Sequence, residues 1–187
     1  VHHTEPDYGI FTGDPVAGPP TLVFLHATSW ASKHWPEGYW QIMIKLAAQA
    51  GYRIALPWGS VAERQRSEQL AAVADSAYVP DALDLNRIAG LLASATGAVA
   101  VDTGLGHLAA AFSVPTVSLY GPTDSQLTGT RGHFQAQLHA GFGCAPCLQR
   151  QCSYRGDSTV KPACFEDVTP ARAWLTLQDL IKQKDAT

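Results

Sequence analysis

A chain of 187 residues, 46% of them hydrophobic and 16% charged, supports one ordinary globular domain and is too short for two comfortable ones. The net charge of −3, with no basic block, argues against a nucleic-acid surface. No apolar run approaches the ~20 residues of a membrane-spanning helix. Val1 to Tyr8 is neither a signal peptide nor an obvious targeting segment and reads as a chain entered partway through; a cytoplasmic setting is expected, although an upstream half could carry an address.

Residues 1–20 hold Pro6, Gly9, Gly13, Asp14, Pro15, Gly18, Pro19 and Pro20, the composition of a linker or lead-in. Thr21 to His26 is a short apolar run of buried-strand type. Pro36 and Glu37 suit a first helical turn, and Tyr39, Trp40, Ile42, Met43, Leu46 and Ala47 form the helix's apolar stripe up to Gly51. Tyr52 to Leu56 reads as a second strand, Pro57 to Ser60 as a turn, and Val61 to Val73 as a charged helix. Then follow a minimal third strand (77–79), a helix (85–94), a fourth strand (98–101), a helix (105–112) and a fifth strand (116–120). After Gly121 the pattern becomes irregular, until Thr169 as N-cap and Pro170 at the first helical position open a final helix to about Lys182.

Strands and helices alternating at this spacing imply right-handed βαβ units, hence an α/β, Rossmann-like parallel sheet with helices on both faces. The domain is expected over 21–187, including a cysteine-containing loop at 141–168 and the terminal helix. The Gly-x-Gly-x-x-Gly fingerprint of dinucleotide folds is missing.

Ligands of such sheets bind where strands end, and three loops fall there. His26 to Pro36 offers Thr28, Ser29 and Lys33 ahead of a helix, the donors and point charge that a phosphate needs; an ordinary polar loop with a solvated lysine fits the same residues. In Val101 to Leu108, Asp102 or Thr103 can cap the helix. Gly104 and Gly106 allow close approach of a ligand to the main chain, and His107 lies one turn in. Asp102 repels a phosphate, which leaves it capping, loop orientation or a sugar hydroxyl; His107 either serves an anion or is structural. The third loop, Tyr120 to Asp124, offers Thr123 to the same cleft. Asp102-Thr103-Gly104 is also the triplet of aspartic proteases, but those are all-β proteins whose triplet precedes no helix such as Gly106 to Phe112.

Taken in order, Phe24 to Ser29 with Lys33-His34-Trp35-Pro36, Leu56 to Gly59, Val101 to Leu108 and Pro115 to Asp124 resemble the inverting heptosyltransferases that use ADP-heptose. These are GT-B glycosyltransferases with two Rossmann-like domains facing across a cleft. The likeness runs from roughly Pro6 to the final helix and corresponds to the C-terminal, donor-binding half. The His-Ala-Thr loop resembles type I members more than type II, whose loop usually begins Pro-Gly-Ala.

The resemblance implies that Thr28, Ser29 and Lys33 hold the diphosphate of ADP-heptose, Lys33 stabilising the departing ADP. It implies that Thr103, Gly104, Leu105, Gly106 and His107 complete that site and that Asp102 bonds the heptose. Glu63 would serve the ribose hydroxyls, being nearly as readable as a solvated helix residue, Gly59 would line the substrate site, and Leu83 would cradle adenine. The implied reaction is a single inverting displacement onto a Kdo hydroxyl of the lipid A precursor, in lipopolysaccharide biosynthesis at the cytoplasmic face of the inner membrane. The implied base is an aspartate of the N-terminal domain, so this chain alone is expected to bind donor without efficient transfer. Two alternatives stay open: a stand-alone nucleotide-sugar binding module, and a related glycosyltransferase taking another nucleotide sugar.

Cys144, Cys147, Cys152 and Cys164 give Cys-x2-Cys-x4-Cys-x11-Cys. Four thiols gathered this way are read either as structural zinc or as free or disulfide-paired residues pinning a loop. No other cofactor is expected. Arg150, Arg155 and Lys161 add positive charge, facing either an anionic acceptor or solvent.

Overall fold

The computed structural model describes residues 18–187, so most of the lead-in expected over 1–20 lies outside the described residues. Six strands form one parallel sheet: β1 (Thr21–Leu25), β2 (Arg53–Ala55), β3 (Ala77–Tyr78), β4 (Gly97–Val101), β5 (Thr116–Tyr120) and β6 (Gln135–His139), in the order β3-β2-β1-β4-β5-β6. The helices are α1 (Glu37–Gln49), α2 (Val61–Ala71), α3 (Leu85–Ala93), α4 (Gly104–Ala111), α5 (Ser125–Thr128) and α6 (Pro170–Asp185), with short 3₁₀ turns at Ala31–Lys33 and Ala163–Asp167.

Alternation along each central strand divides the core in two. Leu22, Phe24, Val99, Val101, Val117 and Leu119 point to the face covered by α1, α2 and α6. Val23, Leu25, Ala98 and Ala100 point to the face covered by α3 and α4. The second face is built from small residues, and there Gly106 of α4 approaches the sheet so closely that a Cβ would stand 3.3 Å from that of Ala100. On the first face, Trp35 and Trp40 meet edge-to-face with centroids 5.0 Å apart, and Trp35 Nε1 donates to the Val168 carbonyl at 2.8 Å. That bond ties the start of α1 to the turn before α6. Thr169 caps α6, its Oγ1 accepting from the Arg172 amide.

Two elements depart from the sequence expectation. The stretch after Gly121, read as irregular, contains α5 and a sixth strand. β6 is an edge strand, so one large inward residue, Leu138, suffices to seat it. Its glutamines bond back to the chain, Gln135 Nε2 to the Val114 carbonyl at 2.8 Å and Gln137 Nε2 to the Thr130 carbonyl at 2.5 Å. Such a strand leaves almost no apolar signal.

The strand order reverses between β1 and β4, which pair directly, Leu25 opposite Ala100. Chain connections leave these two strands in opposite directions, so a crevice opens at their carboxyl ends. The loops that leave there begin at His26 and Asp102.

Candidate functional site

A cavity of about 790 Å³ occupies that crevice, a size suited to a nucleotide-sized ligand. One wall comes from the β1–α1 loop with Thr28, Ser29 and Lys33. The opposite wall comes from the β4–α4 loop with Asp102, Thr103, Gly104, Leu105 and His107. Gly59, Glu63 and Leu83 close the far end.

The two walls are already joined. Lys33 Nζ pairs with Asp102 Oδ2 at 2.7 Å, the side chains being only 15% and 8% exposed, and Thr28 Oγ1 donates to the Asp102 carbonyl at 3.3 Å. The ammonium also lies 4.5 Å from the centroid of Trp30, whose ring limits where it can move. Lys33 therefore neutralises the aspartate that would otherwise repel an anion, and an ammonium has three donors, enough to hold Asp102 and a phosphate oxygen together.

The expectation that Asp102 or Thr103 caps α4 is corrected. Thr103 occupies the N-cap position with extended backbone but makes no side-chain capping bond, and the Asp102 carboxylate turns to Lys33 instead. The α4 N-terminus at Gly104 and Leu105 consequently meets the cavity with no side chain across it. Its amides and the helix dipole are left to an incoming anion.

Glu63 is half-buried and bonded to the main chain rather than solvated. Ser60 Oγ accepts from the Glu63 amide at 3.3 Å, and Glu63 Oε2 accepts from the Gly59 amide at 2.7 Å, a reciprocal arrangement that starts α2. The same carboxylate lines the cavity, so the cap fixes its position there.

Two further expectations are altered. Gly106 does not line the cavity; it lies beneath it, between Ala100, Ser118 and Thr130, where its missing side chain lets α4 pack on the sheet. Thr123 does not reach this cleft, because β5 ends one strand away from the reversal. It lines a separate recess of about 130 Å³ with Gly121 and Asp124, and Thr128 reaches the main cavity instead. No disulfide joins the four cysteines: Cys144 and Cys152 are exposed, Cys147 is half-buried, and Cys164 is buried against Gly121. Burial, with the neighbouring Cys152, Cys144 and Cys147, pushes the Cys164 thiol up to about 12. Among the described residues no group of three or more such side chains is arranged to hold a metal ion.

Sequence reasoning also missed part of the cavity. Pro57, Trp58, Leu85 and Ile88 give its far end an apolar surface beside Leu83, as a flat heterocycle requires. Trp58 Nε1 donates to the Pro80 carbonyl at 2.9 Å, which fixes the ring. The signal was an aromatic residue in the turn after a strand. Arg150 stands 5.5 Å from the centroid of Trp30, because Ser32 donates through its amide to the Arg150 carbonyl at 3.1 Å and through Oγ to the Gln149 carbonyl at 2.5 Å. The cysteine-bearing segment is thereby docked on the loop that carries Lys33.

A Rossmann-like sheet with a crevice at its strand reversal is an architecture that nucleotide-binding domains share. Comparison narrows the class: residues 4–156 match glycosyltransferase family 9 (heptosyltransferase), and the chain belongs to that family. It is 43% identical to lipopolysaccharide heptosyltransferase 1 of Pseudomonas aeruginosa over 187 aligned residues, which cover 94% of this chain and 53% of that protein. Among solved structures it is similar to the E. coli heptosyltransferase WaaC with ADP, at 33% identity and a TM-score of 0.77 over 95% of this chain and 51% of the other. WaaC with ADP-2-deoxy-2-fluoro heptose gives 32% identity and a TM-score of 0.73 over 95% and 50%. The chain spans about half the length of the curated relatives and solved structures just described. No helix among the described residues is long and apolar enough to cross a membrane.

Proposed function

We propose that this chain is the donor-binding half of an inverting heptosyltransferase of type I, which moves heptose from ADP-heptose to a Kdo residue of the lipid A precursor. The observation that carries this reading is the Lys33–Asp102 pair bridging two loops at the strand reversal, beside an α4 N-terminus without a capping side chain. Similarity to a heptosyltransferase solved with ADP, and with an ADP-heptose analogue, supports the choice of nucleotide and sugar.

The adenine lies against Trp58, Leu83 and Ile88, and Glu63 accepts from the ribose hydroxyls. The diphosphate lies between Thr28, Ser29, Lys33 and the α4 amides, with His107 at its edge. Charge grows on the β-phosphate as the anomeric C–O bond breaks, and Lys33 stabilises that charge more than it stabilises the bound donor. Asp102 orients Lys33 and reaches the heptose.

The acceptor and the base belong to the half of the family's architecture that the resemblance places N-terminal to this one. The acceptor is a membrane lipid, so the complete enzyme works at the cytoplasmic face of the inner membrane. These 187 residues are expected to bind donor without efficient transfer. A radiolabelled-heptose assay with the chain alone tests this; transfer at the rate of a complete heptosyltransferase contradicts it.

A further inference from the structure

Neither Arg66 nor His34 lines the cavity, yet the polar contacts around them converge on the loop that carries Thr28, Ser29 and Lys33. Arg66, on α2 one turn after Glu63, donates through Nη1 to His34 Nδ1 at 2.5 Å and through Nη2 to the Trp35 carbonyl at 3.1 Å. His34 follows Lys33 directly, and His26 stands at the loop's other end. The next residue of α2, Ser67, is fully buried and meets His26 Nε2 through its hydroxyl at 2.8 Å. Two adjacent helical residues thus grip both ends of one loop.

The helix itself is fixed independently of that grip. Leu70 is fully buried in the core, and the Ser60–Glu63 cap anchors the N-terminus of α2. The loop has only a 3₁₀ turn of its own at Ala31–Lys33, and its other anchors run to Asp102 and to Gln149 and Arg150.

We infer that Arg66, bonded to His34 and seconded by Ser67, is a positioning residue that sets the distance from the phosphate-binding Lys33 to the ribose-binding Glu63. This rests on the proposed function for its ligand, while its structural content stands on the contacts alone. A guanidinium is required because one planar group serves both the imidazole and the carbonyl; a lysine at this site keeps one bond and loses the other. His34 must accept from Arg66, which the side-chain carbonyl of a glutamine also does and leucine does not.

The test compares the 187-residue chain with Arg66→Lys, His34→Leu and His34→Gln. Amide exchange of residues 27–35 is followed by mass spectrometry, and affinities for ADP and adenosine by NMR titration. The expected result is at least tenfold weaker ADP binding in His34→Leu and Arg66→Lys, with adenosine binding within twofold of the unsubstituted chain. Loop exchange rises by a similar factor, and His34→Gln recovers most of both losses. The inference is overturned if folded His34→Leu binds ADP like the unsubstituted chain, if ADP and adenosine weaken in parallel, or if loop exchange is unchanged. An unsubstituted chain that binds no ADP sinks the proposed function instead, and loop exchange alone then decides whether the grip exists.

Discussion

Among the described residues, Lys33 and Asp102 form the one close ion pair between the two walls of the cavity, and their partial burial makes each depend on the other. Removing the ammonium leaves a carboxylate that is 8% exposed without a counter-charge, which is more costly than removing both. Lys33→Ala is therefore expected to lower the melting temperature, and Lys33→Ala with Asp102→Asn to recover part of the loss without recovering ADP affinity; a double-mutant cycle measured by thermal unfolding and calorimetry checks this. Glu63→Gln is expected to weaken ADP several-fold and to leave 2′,3′-dideoxy-ADP nearly unaffected, since in the proposed complex the ribose hydroxyls are the ligand groups that face the carboxylate, whose other oxygen contact is the Gly59 amide. His26 and His34 supply a pH dependence. Burial, then the charges of Arg66 and His34, lowers the His26 pKa from 6.5 to about 3, and burial then Arg66 lowers that of His34. The unfolded chain binds these protons below pH 6.5 and the fold does not, so the stabilisation is complete above pH 6.5 and is lost as pH falls toward about 3. His26 alone accounts for roughly 4–5 kcal/mol at one pKa unit per ~1.4 kcal/mol. Denaturant melts from pH 7 to pH 4 are expected to show a steady decline; a flat profile contradicts the buried neutral histidine.

At the scale of elements, α4 shows why some of this site was legible in the sequence and some was not. The succession Asp102-Thr103-Gly104 before an Ala-rich run marks a strand–loop–helix junction, and five strands followed from apolar runs broken by Gly and Pro. The roles within the junction depend on tertiary distance: nothing local says that Asp102 turns to a lysine from another loop or that Gly106 faces the sheet. β6 stayed hidden because an edge strand needs only Leu138 in the core. Neither Arg66 nor His34, although the latter stands within the Lys33-His34-Trp35-Pro36 motif, reveals a role in the sequence, because an arginine on a charged helix and a histidine in a polar loop signal no partnership until folding brings them together. The packing role of Gly106 gives its own prediction. A valine there places methyls against Ala100 and Thr130, and overpacking of this kind costs about 1–3 kcal/mol, to be measured by urea unfolding.

For the whole molecule, the sheet order accounts for the location of the site and the loops account for its chemistry. The β1/β4 reversal opens a crevice in any sheet of this order, and cores of this type serve many functions. Here the crevice received a lysine, an α4 N-terminus without a capping side chain, a glutamate bonded to the Gly59 amide and an apolar far wall, the features on which the proposed nucleoside diphosphate sugar rests. Calorimetric titration of the chain with ADP, UDP and GDP, repeated with Lys33→Ala, tests this assignment most directly. The account predicts saturable binding that favours ADP and falls at least tenfold on loss of Lys33. A folded chain that binds none of the three, or that prefers UDP or GDP, contradicts it.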